Sequence, residues 1–175
     1  SPTQPTAEGE TDTETPPDIT IVIPCYNEAP HLRDNLNEIL NVLDGMDLTY
    51  ELLLIDDSST DETTTRIREF CLMHPHHRIR TVFHTQNLGR GGTVTEGVFM
   101  AQGRFVGFLD IDLEVHARYI PAAFIALERG QADMVLAERF YRFQVFAWKR
   151  WMMSRGYRWL VQYVLGTPSF CLLYT

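Results

Sequence analysis

The stretch FVGFLDIDLEV, residues 105–115, decides how this chain is read. Phe105, Val106, Phe108 and Leu109 have buried-strand character, and the run ends in Asp110-Ile111-Asp112, two carboxylates one residue apart where the strand should stop. In an extended chain alternate side chains share a face, which lets both carboxylates converge on one hard divalent cation. Mg²⁺ or Mn²⁺ suits oxygen ligands of this kind, so the pattern reads as a metal site for a phosphate-bearing substrate. The plainer reading of the same residues is a solvated turn, because acidic residues start turns and cap helices routinely. The rest of the chain has to decide between the two.

Outward from this stretch, strand and helix patterns alternate. Residues 19–24 (ITIVIP) are β-branched and read as a strand buried on both faces, and Leu32, Leu36, Ile39, Leu40 and Leu43 recur at helical spacing until Asp44-Gly45 stops them. The pattern then predicts strands over 50–55, 80–83, 104–109 and 134–137, and helices over 61–73, 92–101 and 119–129. Short apolar strands separated by helices require crossover connections. The expected fold is therefore α/β: a mainly parallel, Rossmann-like sheet sandwiched by helices, in a single domain.

The chain of 175 residues, 45% of them hydrophobic, is long enough for one domain with its own core. Net charge is −8, but residues 1–138 hold 9 Lys+Arg against 23 Asp+Glu, while 139–175 hold 6 Lys+Arg and no acid. The acidic body argues against nucleic acid as a partner, and the basic end points to a phosphate or an anionic membrane surface. Three scattered cysteines form no disulfide framework, which makes a reducing, cytoplasmic setting the expectation. Cys25 reads as packing, and Cys71, His74, His76 and His77, with Pro75 among them, read as an exposed helix end rather than a metal cluster. No apolar run approaches the roughly 18 residues that span a bilayer, and no signal peptide is expected. Residues 1–17 are rich in Pro, Thr and Glu and read as a disordered acidic tail.

In parallel α/β sheets ligands bind outside the carboxyl ends of the strands, and four polar motifs fall at such ends. Pro24-Cys25-Tyr26-Asn27-Glu28 follows the first strand, Asp56-Asp57-Ser58-Ser59 the second, Asn87 to Gly92 (NLGRGG) lies after the third, and Asp110-Ile111-Asp112 ends the fourth. Tyr26 is able to stack on a base, with Glu28 or Asp56 accepting hydrogen bonds from the base edge or from ribose. Asn27 and Glu28 read equally as a helix start, and the run from Asp57 to Asp61 as an N-cap. Gly89 to Gly92 with Arg90, near a helix N-terminus, suits a phosphate.

Together IVIPCYNE, LLLIDDSSTDET, NLGRGG and FLDIDLE resemble glycosyltransferase family 2 on a GT-A fold, most closely the polyprenyl-phosphate (dolichyl-phosphate) mannose and glucose synthases. The resemblance covers roughly residues 18–166. It implies that Pro24, Tyr26, Glu28 and Asp56, with Asp57 near by, hold the nucleoside of a nucleotide-sugar. It further implies that Asp110 and Asp112 bind the Mg²⁺ or Mn²⁺ that bridges the donor diphosphate, with Glu114 as a further metal-facing residue, and that Arg90 contacts the donor. Arg139 would lie near the donor phosphates, and Arg150 with Ser154 at the phosphate of a polyprenyl phosphate acceptor. The implied reaction is inverting transfer of a hexose, with Asp112 and Arg139 as its catalytic residues.

Residues 139–175 are expected to form a basic, aromatic, helical segment serving the acceptor. The part from 139 to 165 carries three Trp and six cations, which suits peripheral contact with a lipid headgroup layer. Its cations are spread around a helical axis, so a clean amphipathic membrane helix is not expected. After Leu165-Gly166 the sequence departs from the family pattern, which leaves three expectations open: a lipid-phosphate transferase, a transferase to a saccharide or other hydroxyl, or a shortened noncatalytic remnant. A separate membrane subunit as partner is also left open.

Overall fold

The computed structural model describes residues 15–138 and 171–174. Strands β1 (Ile19–Cys25), β2 (Tyr50–Asp56), β3 (Ile79–Phe83) and β4 (Phe105–Phe108) form one all-parallel sheet in the order β3-β2-β1-β4. They are connected by α1 (Leu32–Asp44), α2 (Thr63–Met73) and α3 (Gly89–Met100); a 3-10 turn (Ala117–Tyr119) and α4 (Ile120–Glu128) follow β4. Each strand and helix expected between residues 18 and 138 is present, with ends shifted by up to three residues.

The alternation along β1 divides the core. Ile19, Ile21, Ile23 and Cys25 face a cluster with Leu52 and Leu54 of β2, the five apolar positions of α1, Ile67 and Phe70 of α2 and Phe124 of α4. Val22 faces the opposite side with Leu53 and Ile55, where α3 covers the sheet. That contact is close because Gly97 has no side chain; a Cβ there would lie 2.3 Å from a methyl of Val22. Burial on both faces explains why β1 and β2 are mostly apolar rather than alternating.

Two differences from the expected fold stand out. β5 (Val135–Glu138) lies outside the four-stranded sheet and pairs in parallel with β6 (Cys171–Tyr174). β6 falls where the sequence predicts a helical segment, because a four-residue run such as CLLY has no periodicity that separates strand from helix. Arg139, Arg150, Ser154 and the basic aromatic stretch lie outside the described residues, as does all but the end of the acidic tail.

One charge is built into the sheet. Glu51 of β2 is fully buried, accepting from the Thr20 hydroxyl at 2.8 Å, from Arg80 Nη1 at 2.8 Å and from the Gln102 N–H at 3.3 Å. Burial pushes its carboxyl up, but Arg80, Thr20 and Gln102 outweigh this and hold it below its ordinary value. A depressed carboxylate contributes stability above its unfolded pKa of about 4.3, and that contribution is lost as pH falls below it. Arg80→Met should therefore cost about 3 kcal/mol in urea unfolding at pH 7 by leaving Glu51 uncompensated. The gap from the wild type should narrow as the pH drops below about 4.

Candidate active site

The sheet order places a switch point at β1: the chain runs outward from β1 through β2 to β3, then returns to β4 on the other side. Connections diverge at such a point and open a crevice beyond the strand ends. A cleft of about 690 Å³ lies there, lined from the end of β1 and the loop after it by Pro24, Tyr26 and Glu28, from the α3 entry by Gly89 and Arg90, and from the β4 loop by Asp110, Asp112 and Glu114. Asp57, Thr93 and Ala137 also reach it.

The carboxylates that motivated a metal site are not on an extended strand. β4 stops at Phe108, and Asp110 to Leu113 make a turn closed by the Leu113 N–H on the Asp110 carbonyl at 3.1 Å, with Leu113 at φ 52. Leu109 still donates to the Val22 carbonyl at 3.0 Å, and Ile111 is buried while its carbonyl accepts from Asn35 Nδ2 at 2.8 Å. Ile111 thus anchors the turn in the core and both flanking carboxylates face the cleft. The two carboxylates therefore share a side through this turn and not through strand alternation.

The first two loops are clasped to each other. Asn27, at φ 56, accepts from the N–H groups of Thr60 (2.8 Å) and Asp61 (3.3 Å), and its own N–H donates to Ser59 Oγ at 3.0 Å. The Glu28 N–H donates to Thr63 Oγ1 at 2.8 Å. Asn27 and Glu28 therefore precede α1, which begins at Leu32, and are not its first turn. Tyr26 is left 49% exposed on the cleft wall.

The paired aspartates after β2 face different tasks. Asp56 is buried and turned into its own loop, accepting from the Ser59 N–H and the Thr64 hydroxyl. Asp57 accepts from the Leu88 N–H at 2.8 Å and pairs with His84 Nδ1 at 2.8 Å, while the Asp57 carbonyl accepts from Asn87 Nδ2 at 3.0 Å. Burial raises the Asp57 carboxyl, yet Leu88, His84, Thr93 and Gly89 together hold it below the ordinary range. These bonds fix the entry to α3, which begins at Gly89 (φ 75) rather than Gly92; the glycine-rich stretch is its first turn. His84 was not singled out by sequence, although it stands one residue beyond β3, at a strand end like the other motifs.

Among the described residues lining the cleft, carboxylates outnumber cations. Glu28 is pushed up by burial and next by Asp112, with Asp61 and Asp110 adding to the effect and His31 opposing it. Arg90 meets Asp110 with a two-pronged contact, Nε to Oδ1 at 2.6 Å and Nη2 to Oδ2 at 2.5 Å. The Glu114 N–H donates to Asp112 Oδ1 at 3.0 Å. Among the described residues no set of three or more His, Cys, Asp or Glu side chains is arranged to hold a metal. Two cleft-facing carboxylates nevertheless fit a small divalent ion, which commonly takes one or two carboxylates and completes its shell with substrate phosphates and water. Cys25 is buried with its thiol pushed up by burial, and it packs as expected. His74 and His77 meet edge to face just past the end of α2.

The profile of the family described as "Glycosyl transferase family 2" matches residues 20–171. The chain belongs to this glycosyltransferase family. Among its relatives, the dolichol-phosphate mannosyltransferase of Pyrococcus furiosus is 28% identical over 124 residues, covering 71% of this chain and 34% of its own. The undecaprenyl-phosphate 4-deoxy-4-formamido-L-arabinose transferase of Edwardsiella ictaluri is 31% identical over 148 residues, 85% of this chain and 44% of its own. The mouse dolichyl-phosphate beta-glucosyltransferase is 31% identical over 99 residues, 54% of this chain and 31% of its own. The family 2 chain thus spans between about a third and less than half of these relatives' length. Its fold is that of GT-A enzymes: a mannosyltransferase of Pyrobaculum calidifontis, solved with GDP-Man and Mn²⁺, superposes with a TM-score of 0.57 at 25% identity, covering 74% of this chain and 37% of that one.

If Asp57 is what holds the α3 entry, Asp57→Ala should lower unfolding stability by about 2–3 kcal/mol by stranding the Leu88 N–H and His84. Hydrogen exchange at the Leu88 amide should accelerate in the variant while amides in the centre of β1 stay protected.

Proposed function

We propose that the chain binds a nucleoside-diphosphate sugar in the cleft with Mg²⁺ or Mn²⁺ and moves its hexose to a polyprenyl phosphate with inversion. The observation that carries this reading is the meeting, at one switch-point cleft, of an exposed aromatic, a glycine-rich helix N-terminus and two carboxylates on a turn. The named relatives support the acceptor class, since their names join a sugar to dolichyl, dolichol or undecaprenyl phosphate.

In this reading Tyr26 stacks on the base above Pro24, and Glu28 accepts from the nucleoside. Asp56 and Asp57 act by holding the loops rather than by touching the donor. Asp110 and Asp112, with Glu114 behind them, hold the ion, which when bound supplies Lewis-acid neutralisation of the departing diphosphate. Arg90 and the first turn of α3 face the phosphates, where N–H groups and a guanidinium favour anions. Arg139 serves the donor phosphates, and Arg150 with Ser154 the acceptor phosphate. A lipid phosphate is already an anion and a nucleophile, so the cleft needs no strong general base. The basic aromatic stretch after residue 138 would meet anionic headgroups, placing the reaction at a membrane face.

Incubation with Mn²⁺, labelled UDP- and GDP-sugars and polyprenyl phosphate should give lipid-linked label. Label in a water-soluble glycoside would identify a hydroxyl acceptor instead, and nucleotide binding without transfer a noncatalytic chain. Asp112→Asn should weaken metal-dependent nucleotide binding at least about tenfold. The wild type should also co-sediment with anionic vesicles at low salt and dissociate as salt is raised.

A further inference from the structure

The carboxylate assigned above to a divalent ion already has a cation on it. Arg90 engages both oxygens of Asp110, and the guanidinium also sits 5.6 Å above the ring of Phe108. A metal approaching Asp110 therefore meets a positive charge seated on the carboxylate it needs. The pair is open to water, with Arg90 63% and Asp110 35% exposed, so separating it is inexpensive. Arg90 also lies in the first turn of α3, directly after Gly89 at φ 75, where an incoming anion is favoured by the helix N-terminus. A guanidinium fork fits a phosphate as well as it fits a carboxylate.

We infer that Arg90 is an exchangeable countercation: it neutralises Asp110 while the cleft is empty and yields it to the divalent ion when a diphosphate arrives to take the guanidinium. This rests on the donor-site reading above and adds a coupling between the two ligands to it. Metal alone must displace Arg90 without offering it another partner, whereas metal with diphosphate completes a swap of partners. The two ligands therefore bind synergistically, each raising the other's affinity by the same factor. Arg90 acts on the metal by positioning charge, not by ligating it.

The test compares Mn²⁺ binding to nucleotide-free wild type, Arg90→Gln and Arg90→Lys by calorimetry, with thermal melts to verify folding. It then compares UDP and GDP binding at saturating Mn²⁺. Arg90→Gln should bind Mn²⁺ alone about fivefold more tightly, because its competitor is gone. At saturating Mn²⁺ it should bind the nucleoside diphosphate about tenfold more weakly. Arg90→Lys, which keeps the charge but not the fork, should fall between on both measures. Opposite signs on the two ligands are the signature, since a merely structural role would weaken both.

Unchanged, weaker or undetectable Mn²⁺ binding in Arg90→Gln overturns the inference, as does tighter Mn²⁺ binding with undiminished nucleotide affinity. If the wild type binds neither UDP nor GDP, the donor reading fails by itself. The Mn²⁺ comparison then still decides whether Arg90 competes for Asp110.

Discussion

The structure depends on β1 being hydrogen-bonded on both edges and buried on both faces. Its register with β2 runs from Ile19 opposite Tyr50 to Cys25 opposite Asp56, and with β4 from Ile19 opposite Phe105 to Val22 opposite Phe108. A one-residue slip in either pair would turn Val22, which packs against Gly97 of α3, toward the face that α1 and α2 cover. The register therefore has little freedom. Because it is fixed, the loops that leave β1, β2 and β4 emerge side by side, and the cleft is the space between them.

Carboxylates near this rim fall into two groups with opposite consequences. Asp56, Asp57 and Asp61 accept from backbone N–H groups of the loops. Asp57 and Asp61 are held below the ordinary carboxylate range as a result. Glu28 has the opposite balance: burial and the charges of Asp112, Asp61 and Asp110 push it up. Among the described residues lining the cleft, one guanidinium, that of Arg90, faces this second group, and it is already paired to Asp110. A cleft with that balance favours the arrival of further positive charge, which is the electrostatic property expected of a place that takes a divalent ion together with a polyanionic ligand.

What could be read from sequence follows from which forces are local. The helical spacing of Leu32, Leu36, Ile39, Leu40 and Leu43 is a property of one segment, and all five are buried in α1. The strand-end rule likewise brought Tyr26, Glu28, Asp57, Arg90, Asp110 and Asp112 to one cleft, because topology alone carries them there. Hydrogen bonds that reach across the chain were not legible. That Asp56 would turn inward to Thr64, that Asn27 would bridge to Thr60, and that His84 would stand behind Asp57 all depend on how the loops pack. The early start of α3 has the same origin: Gly89 to Gly92 look like a loop until Asn87 Oδ1 accepts the Gly89 N–H and Asp57 that of Leu88.

The turn at Asp110 shows how two carboxylates come to share one side without an extended strand. Two carboxylates one residue apart share a side in an extended strand, but here the chain has already left the sheet at Phe108. What keeps them on one side is the residue between them. Ile111 is driven into the core cluster that α1 and α4 complete, its carbonyl is tied to Asn35, and Leu113 takes up a left-handed conformation to close the turn. A polar residue at 111 would remove that anchor and release both carboxylates to solvent independently. The apolar residue is thus as much a part of the motif as the acids: it converts hydrophobic burial, which is non-directional, into a fixed direction for two charges.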